Sequence, residues 1–221
     1  VNVGGVCGKS GMLTAGCHAE WTESAHVKIA SDRSNFGGVT GLTQAESNYA
    51  FLVGCYALCK GRVEIEPKNG TDYTANAGGI AGTLANSTIA GCTVKAKNIY
   101  GHNASSPSLI GVSGIAAYVV GVSSVSDCKA YATLIRNSTV LGTEDASVTP
   151  DNLFGMGMIV GIDAGTTTVT NCGVGGSFYL GASEKPQELI LTLDADSYAK
   201  GIIGSGKTAT VGGCYYWNGE E

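Results

Sequence analysis

Charge is scarce in this chain. Asp, Glu, Lys and Arg make up 14% of its 221 residues, against about 25% in a typical soluble domain. The net charge is −5, and no cluster of Lys and Arg exceeds two residues. That balance argues against nucleic acid as a partner. Long apolar runs are missing too. The longest, Leu109–Val122, has 14 residues and is broken by Gly and Ser, short of the roughly 18 that a membrane-spanning helix requires. Proline is rare, with 4 residues, and no CxxC pair occurs among the eight cysteines. Only Cys55 and Cys59 lie closer than ten apart, so neither a zinc site nor a dense disulfide framework fits the spacing. No charged-then-apolar leader stands before Val1, which reads as a processed product or an excised piece of a longer protein.

Glycine fills the space that charge leaves. The chain has 34 glycines without a strict every-third repeat, which excludes collagen. Its 43% apolar content and mean hydropathy of +0.13 exclude a disordered linker.

Six cysteines recur, at 17, 55, 92, 128, 172 and 214, in steps of 38, 37, 36, 44 and 42 residues. Each follows Gly16, Gly54, Gly91, Asp127, Asn171 or Gly213, the residue types that enter left-handed backbone conformations cheaply. Three before each Cys stands Thr14, Leu52, Ile89, Val125, Val169 or Val211; two after stands Ala19, Ala57, Val94, Ala130, Val174 or Tyr216. That is period-two alternation through a bend, with Cys turned inward.

A glycine landmark precedes each Cys: Gly4-Gly5-Val6, Gly37-Gly38-Val39, Gly78-Gly79-Ile80, Ser113-Gly114-Ile115, Met156-Gly157-Met158 and Lys200-Gly201-Ile202. A third glycine follows in four repeats, as Gly8, Gly41, Gly82 and Gly204, with Ala117 and Val160 in its place in the other two. Short β-branched segments come after the Cys, at His26–Ile29, Arg62–Glu66 and Leu189–Leu193. Gly101–Pro107 and Gly142–Asp151 read as loops. Units of this size with about three short strands each bury a core only when stacked. The expectation is an all-β, right-handed parallel β-helix of about six coils with variable loops, one domain over 1–221. Its handedness follows the general preference of parallel crossovers. A β-sandwich suits short strands but does not explain a Cys at fixed register.

The segment GGIAGTLANSTIAGCTVKA at 78–96 resembles the GLUG repeat of bacterial surface and secreted proteins, and the other five units fit that pattern more loosely. The resemblance implies an extracellular, adhesin-like β-helical module at the bacterial cell surface, with no shared active site. The expected partner is a host or bacterial surface glycan or protein.

Chemistry-bearing motifs are few. Gly201–Thr208 reads GIIGSGKT, matching the phosphate loop GxxxxGK[ST]. A nucleotide loop must open a helix, whereas a β-like run follows Lys207 and Thr208, so no nucleotide is expected. Glu64 and Glu66 face one way on a strand, about 7 Å apart, in the range of an inverting glycosidase pair; Asp194 and Asp196 form a similar pair. These carboxylates carry the alternative reading, a carbohydrate-active β-helix enzyme. The bland reading is a solvated outer face, with His26 and Lys28 on the neighbouring coil making cross-strand ion pairs. His18, His26 and His102 form no metal motif, and Cys7 and Cys59 fall outside the repeat register as small buried residues. No catalytic residue, metal or cofactor is expected. Trp21, Tyr56, Tyr215, Tyr216 and Trp217 are the candidate ligand-binding residues, as sugar-stacking rings. Open strand edges at both ends predict either a longer protein or end-to-end self-association.

Overall fold

In a computed structural model the chain forms a parallel β-helix, described for residues 1–31, 33–45, 49–66, 73–103, 108–138, 154–180, 187–189, 201–206 and 209–220. Each coil has four walls rather than the three strands read from the sequence. The first wall stacks Asn2–Gly4, Arg33–Gly37, Tyr73–Gly78, Ser108–Ser113 and Phe154–Gly157. The second stacks six strands: Cys7–Ser10, Thr40–Gln44, Ala81–Ala85, Ala116–Val120, Val160–Asp163 and Ile203–Ser205. The third runs Leu13–Ala15, Ala50–Val53, Ser87–Ala90, Val122–Ser126, Thr166–Thr170 and Thr210–Gly212. The fourth joins His18–Trp21 and His26–Ala30 to Tyr56–Glu66, Thr93–Asn103, Lys129–Ser138, Gly173–Leu180 and Tyr215–Tyr216. Six strands in the second and third walls make six coils.

The cysteine register sits at the bend between the third and fourth walls. Gly16, Gly54, Gly91, Asp127, Asn171 and Gly213 all take φ between 53° and 67°. Each bend turns the following Cys inward. The thiol then donates to the carbonyl two residues back, as in Cys128 Sγ to Ser126 O at 3.1 Å and Cys172 Sγ to Thr170 O at 3.3 Å. In coils two to five it also reaches a carbonyl of the preceding coil, as from Cys92 to Leu52 at 3.6 Å. A residue that is small, apolar and a weak donor meets all three demands at this corner. Leu52, Ile89, Val125, Val169 and Val211 stack in register beside it, as do Ala19, Ala57, Val94, Ala130, Val174 and Tyr216. All eight cysteines are free thiols; Cys55, Cys59, Cys92, Cys128 and Cys172 are buried, while Cys7, Cys17 and Cys214 are partly exposed.

The glycine landmark is the corner between the first and second walls. Successive coils approach so closely there that a Cβ on Gly38 would run into the Gly79 carbonyl oxygen. The fifth coil is displaced by one from the sequence reading. Gly157 pairs with Ser113 and Val160 with Ala116, so Met158 occupies the corner and Gly161, not Val160, is the third glycine. Behind these corners a continuous core runs through the stack, from Phe36, Leu52 and Ile65 to Ile110, Leu134 and Phe178. Each fully buried side chain of that size contributes about 1.5–3 kcal/mol. Asn2, Asn35 and Asn76 form an amide ladder along the first wall, at 2.8 and 2.9 Å.

The segments His26–Ile29 and Arg62–Glu66 belong to the fourth wall, where they pair with each other. Gly101–Asn103, read as loop, ends a strand of the same wall; residues 104–107 and 142–151 lie outside the described residues. Gln187–Leu189 runs antiparallel along Phe178–Leu180 and covers that part of the fifth coil's edge. Among the described residues the strands of coil one pair on one side only, and Val6, Met12 and Leu13 are exposed there.

Candidate functional site

Charged and aromatic side chains concentrate on the outer face of the fourth wall. Among the described residues the third wall carries no charged side chain at all; its outer face is built of groups such as Thr88 and Ser124, whose hydroxyls lie 2.9 Å apart. On the fourth wall, Val63 and Ile65 enter the core, so Arg62, Glu64 and Glu66 point outward.

Three coils converge on Glu64. His26 Nε2 lies 2.6 Å from its Oε2, and His102 Nε2 lies 3.1 Å from Oε1, which also accepts from the Arg62 guanidinium. Arg62 rests on the Tyr100 ring at 4.1 Å, and Tyr100 stacks with His102 at 6.1 Å. The side chain of Glu64 is left 7% exposed. Burial alone would raise its pKa, but the hydrogen bonds from His26 and Arg62, with the charge of Arg62, outweigh burial and hold the carboxyl below its ordinary value. A carboxylate only accepts, so Nε2 of each imidazole carries the hydrogen. In this state Glu64 has no proton to give, and both of its oxygens accept hydrogen bonds. Glu66 is held by Lys28 at 3.0 Å. The cross-strand pairs expected for His26 and Lys28 are therefore present. They are joined by Arg62 and His102, which the sequence reading had not brought to Glu64. The signal was available: His26 and His102 each lie 38 residues from Glu64, one coil either way. Among the described residues no group of three His, Cys, Asp or Glu side chains is arranged to hold a metal ion.

The five aromatic candidates divide between the two ends of the stack. Trp21 is half-buried and packs against Phe36 at 5.7 Å between ring centroids, plugging the first coil. Tyr56 stands outward, with its ring edge-on to His18 at 4.9 Å. Four coils away, roughly 19 Å along the axis from the strand spacing, Tyr215, Tyr216 and Trp217 come together. Tyr131, which the sequence reading missed, joins them.

Glycine makes this second group. In the outward row of the fourth wall Lys95 pairs with Tyr131, and Tyr131 with Gly175. Trp217 N donates to Val174 O at 2.7 Å, which sets the Trp217 carbonyl against Gly175 and its Cβ against Gly173, the bare glycines of coil five. Its ring meets Tyr131 edge-on at 6.4 Å, with Lys95 Nζ and Lys129 Nζ at 5.6 and 5.5 Å from its centroid. Trp217 Nε1 donates to Glu220 O at 2.5 Å, and the residue is 9% exposed, a buried anchor. Tyr215 and Tyr216 are exposed beside it. Tyr131, Val174, Gly175, Gly176, Tyr216, Trp217 and Asn218 enclose an open depression of about 490 Å³.

The described part of the GIIGSGKT segment is a corner at Gly201 and a second-wall strand, Ile203–Ser205, paired with the fifth coil. Thr210–Gly212 follows as a third-wall strand. Lys207 and Thr208 lie outside the described residues, as do Asp194 and Asp196.

Compared with known proteins, the chain matches no family model, no curated protein and no solved structure.

Proposed function

We propose that this chain is a non-catalytic, extracellular β-helical module of a bacterial surface protein, whose fourth wall presents a saccharide-binding platform at Tyr131 and Tyr216, anchored by the buried Trp217 and flanked by the exposed Tyr215. The observation that carries this reading is the open aromatic depression over glycines, since a saccharide ring stacks its apolar face on such rings and bonds its hydroxyls at the rim. The resemblance of 78–96 to the GLUG repeat supports the location. The apolar open edge of coil one supports end-on association of copies; light scattering tests it, and a monomer at high concentration would refute it. A glycan array probed with the chain and with Tyr216→Ala tests the binding reading. The expected result is a saccharide hit that the substitution weakens, and an array without hits would overturn it.

The second reading is a carbohydrate-active enzyme. It is favoured by one observation, a buried carboxylate between two imidazoles at Glu64. The direction of the Glu64 pKa argues against Glu64 as the general acid of such an enzyme, since a general acid needs its proton near working pH.

A further inference from the structure

We propose that the Trp217 platform takes an acidic saccharide residue, one bearing a carboxylate. The inference rests on the saccharide-binding reading above and adds the charge of the ligand. Lys95 and Lys129 project from the third and fourth coils to the same indole. They arrive on separate strands, yet both ammonium groups lie within 6 Å of one ring centroid. Three other basic side chains of this wall are matched to carboxylates, Lys28 to Glu66, Lys60 to Glu20 and Arg62 to Glu64, while Lys97 is exposed and, among the described residues, is not seated on a ring. Among the described residues Lys95 and Lys129 take part in no such pair. The carboxylate of Glu220, on the terminal stretch nearby, accepts from the Asn218 amide at 2.9 Å.

The depression therefore has an apolar floor of glycine and aromatic ring, and the Trp217 that helps to line it carries two ammonium groups without a carboxylate partner among the described residues. A neutral sugar would use the floor and leave those ammonium groups idle. A uronate ring uses both: its apolar face lies on Tyr131 and Tyr216, and its carboxylate meets an ammonium in a charge-assisted hydrogen bond. Lysine, a compact charge on a flexible stem, suits a ligand whose carboxylate position varies from sugar to sugar.

The matched probes are oligogalacturonate and its methyl ester, which keeps the ring and removes the charge, with hyaluronan oligosaccharide as a second acidic probe. Calorimetric titration should show an acidic probe binding more tightly than the ester, with an affinity that falls as salt is raised. Lys95→Ala and Lys129→Ala should each weaken the acidic probe about 3- to 5-fold and leave the ester unchanged, whereas Tyr131→Ala should weaken both. Equal affinity for acid and ester, lysine variants without effect, or no binding of either acidic probe would overturn the proposal. If the glycan array still shows neutral saccharides lost with Tyr216→Ala, the general reading survives that failure. If no saccharide binds at all, both fall.

Discussion

Trp217 lies across Gly175, and that glycine has no room for a side chain: a Cβ there would sit 2.9 Å from Tyr131 Cδ2 and run into the Trp217 carbonyl oxygen. One missing side chain thus seats one aromatic ring against another from a different coil. Gly175→Ala should push the indole off its shelf, lowering stability by about 1–3 kcal/mol through overpacking. The near-ultraviolet circular dichroism of Trp217 should weaken with it. An unchanged signal would show that the ring is held elsewhere.

Glu64 behaves as a clasp between three coils. Its folded pKa lies below the ordinary 4.5, so its stabilisation is complete above the ordinary carboxylate range and disappears as pH falls through the folded value. Glu64→Gln should cost about 1–3 kcal/mol at neutral pH and flatten the loss of melting temperature in acid. Thermal melts of both proteins from pH 7 to pH 3 provide the comparison, and parallel curves would contradict the assignment.

At the cysteine bend the cost of a side chain is conformational. Nothing lies within 4 Å of a Cβ placed on Gly54, whose φ is +59°, so Gly54→Ala should cost about 1–2 kcal/mol. Gly54→Asn should cost less, because Asn171 holds φ of 55° at the same place in coil five. Gly38→Ala should be far worse than either, since its Cβ meets the backbone of the next coil. Denaturant titration of the three variants ranks them.

The thiols divide by burial. Burial pushes Cys59 up to about 12, and hydrogen bonds to Cys172 and Cys92, with burial added, raise Cys128 as well. Native protein should react with an aromatic disulfide reagent at Cys7, Cys17 and Cys214 only, and denatured, unreduced protein at all eight. Fewer free thiols after denaturation would mean disulfides that the ladder geometry does not contain.

The sequence made the repeat legible wherever a residue answers a local demand. The left-handed bend and the inward Cys need only a few neighbouring positions, so Gly54-Cys55 and Asn171-Cys172 announce themselves. The first wall was missed because Arg33–Gly37 and Tyr73–Gly78 are rich in Asn, Ser, Ala and Gly, residues with little strand preference; their strand state comes from pairing between coils. The fifth coil slipped by one because Met158 stands where glycine stands elsewhere, which drew the landmark onto Gly157. Of the site, Glu64 and Glu66 could be placed on one face, but His102 reaches Glu64 only across a bulge opposite Ala96 and Asn98. Tyr131 gave no sign, because its aromatic partner arrives from the end of the chain and lies over a glycine.

The central claim is that this β-helix binds a saccharide and leaves it intact. Incubating the chain with a glycan it captures, and reading the products by mass spectrometry, tests that claim most directly. The account predicts that the glycan is recovered at its original length, that Tyr131→Ala and Tyr216→Ala release it, and that Glu64→Gln retains it. Shortened or unsaturated products that disappear with Glu64→Gln would contradict the account and make Glu64 a catalytic carboxylate.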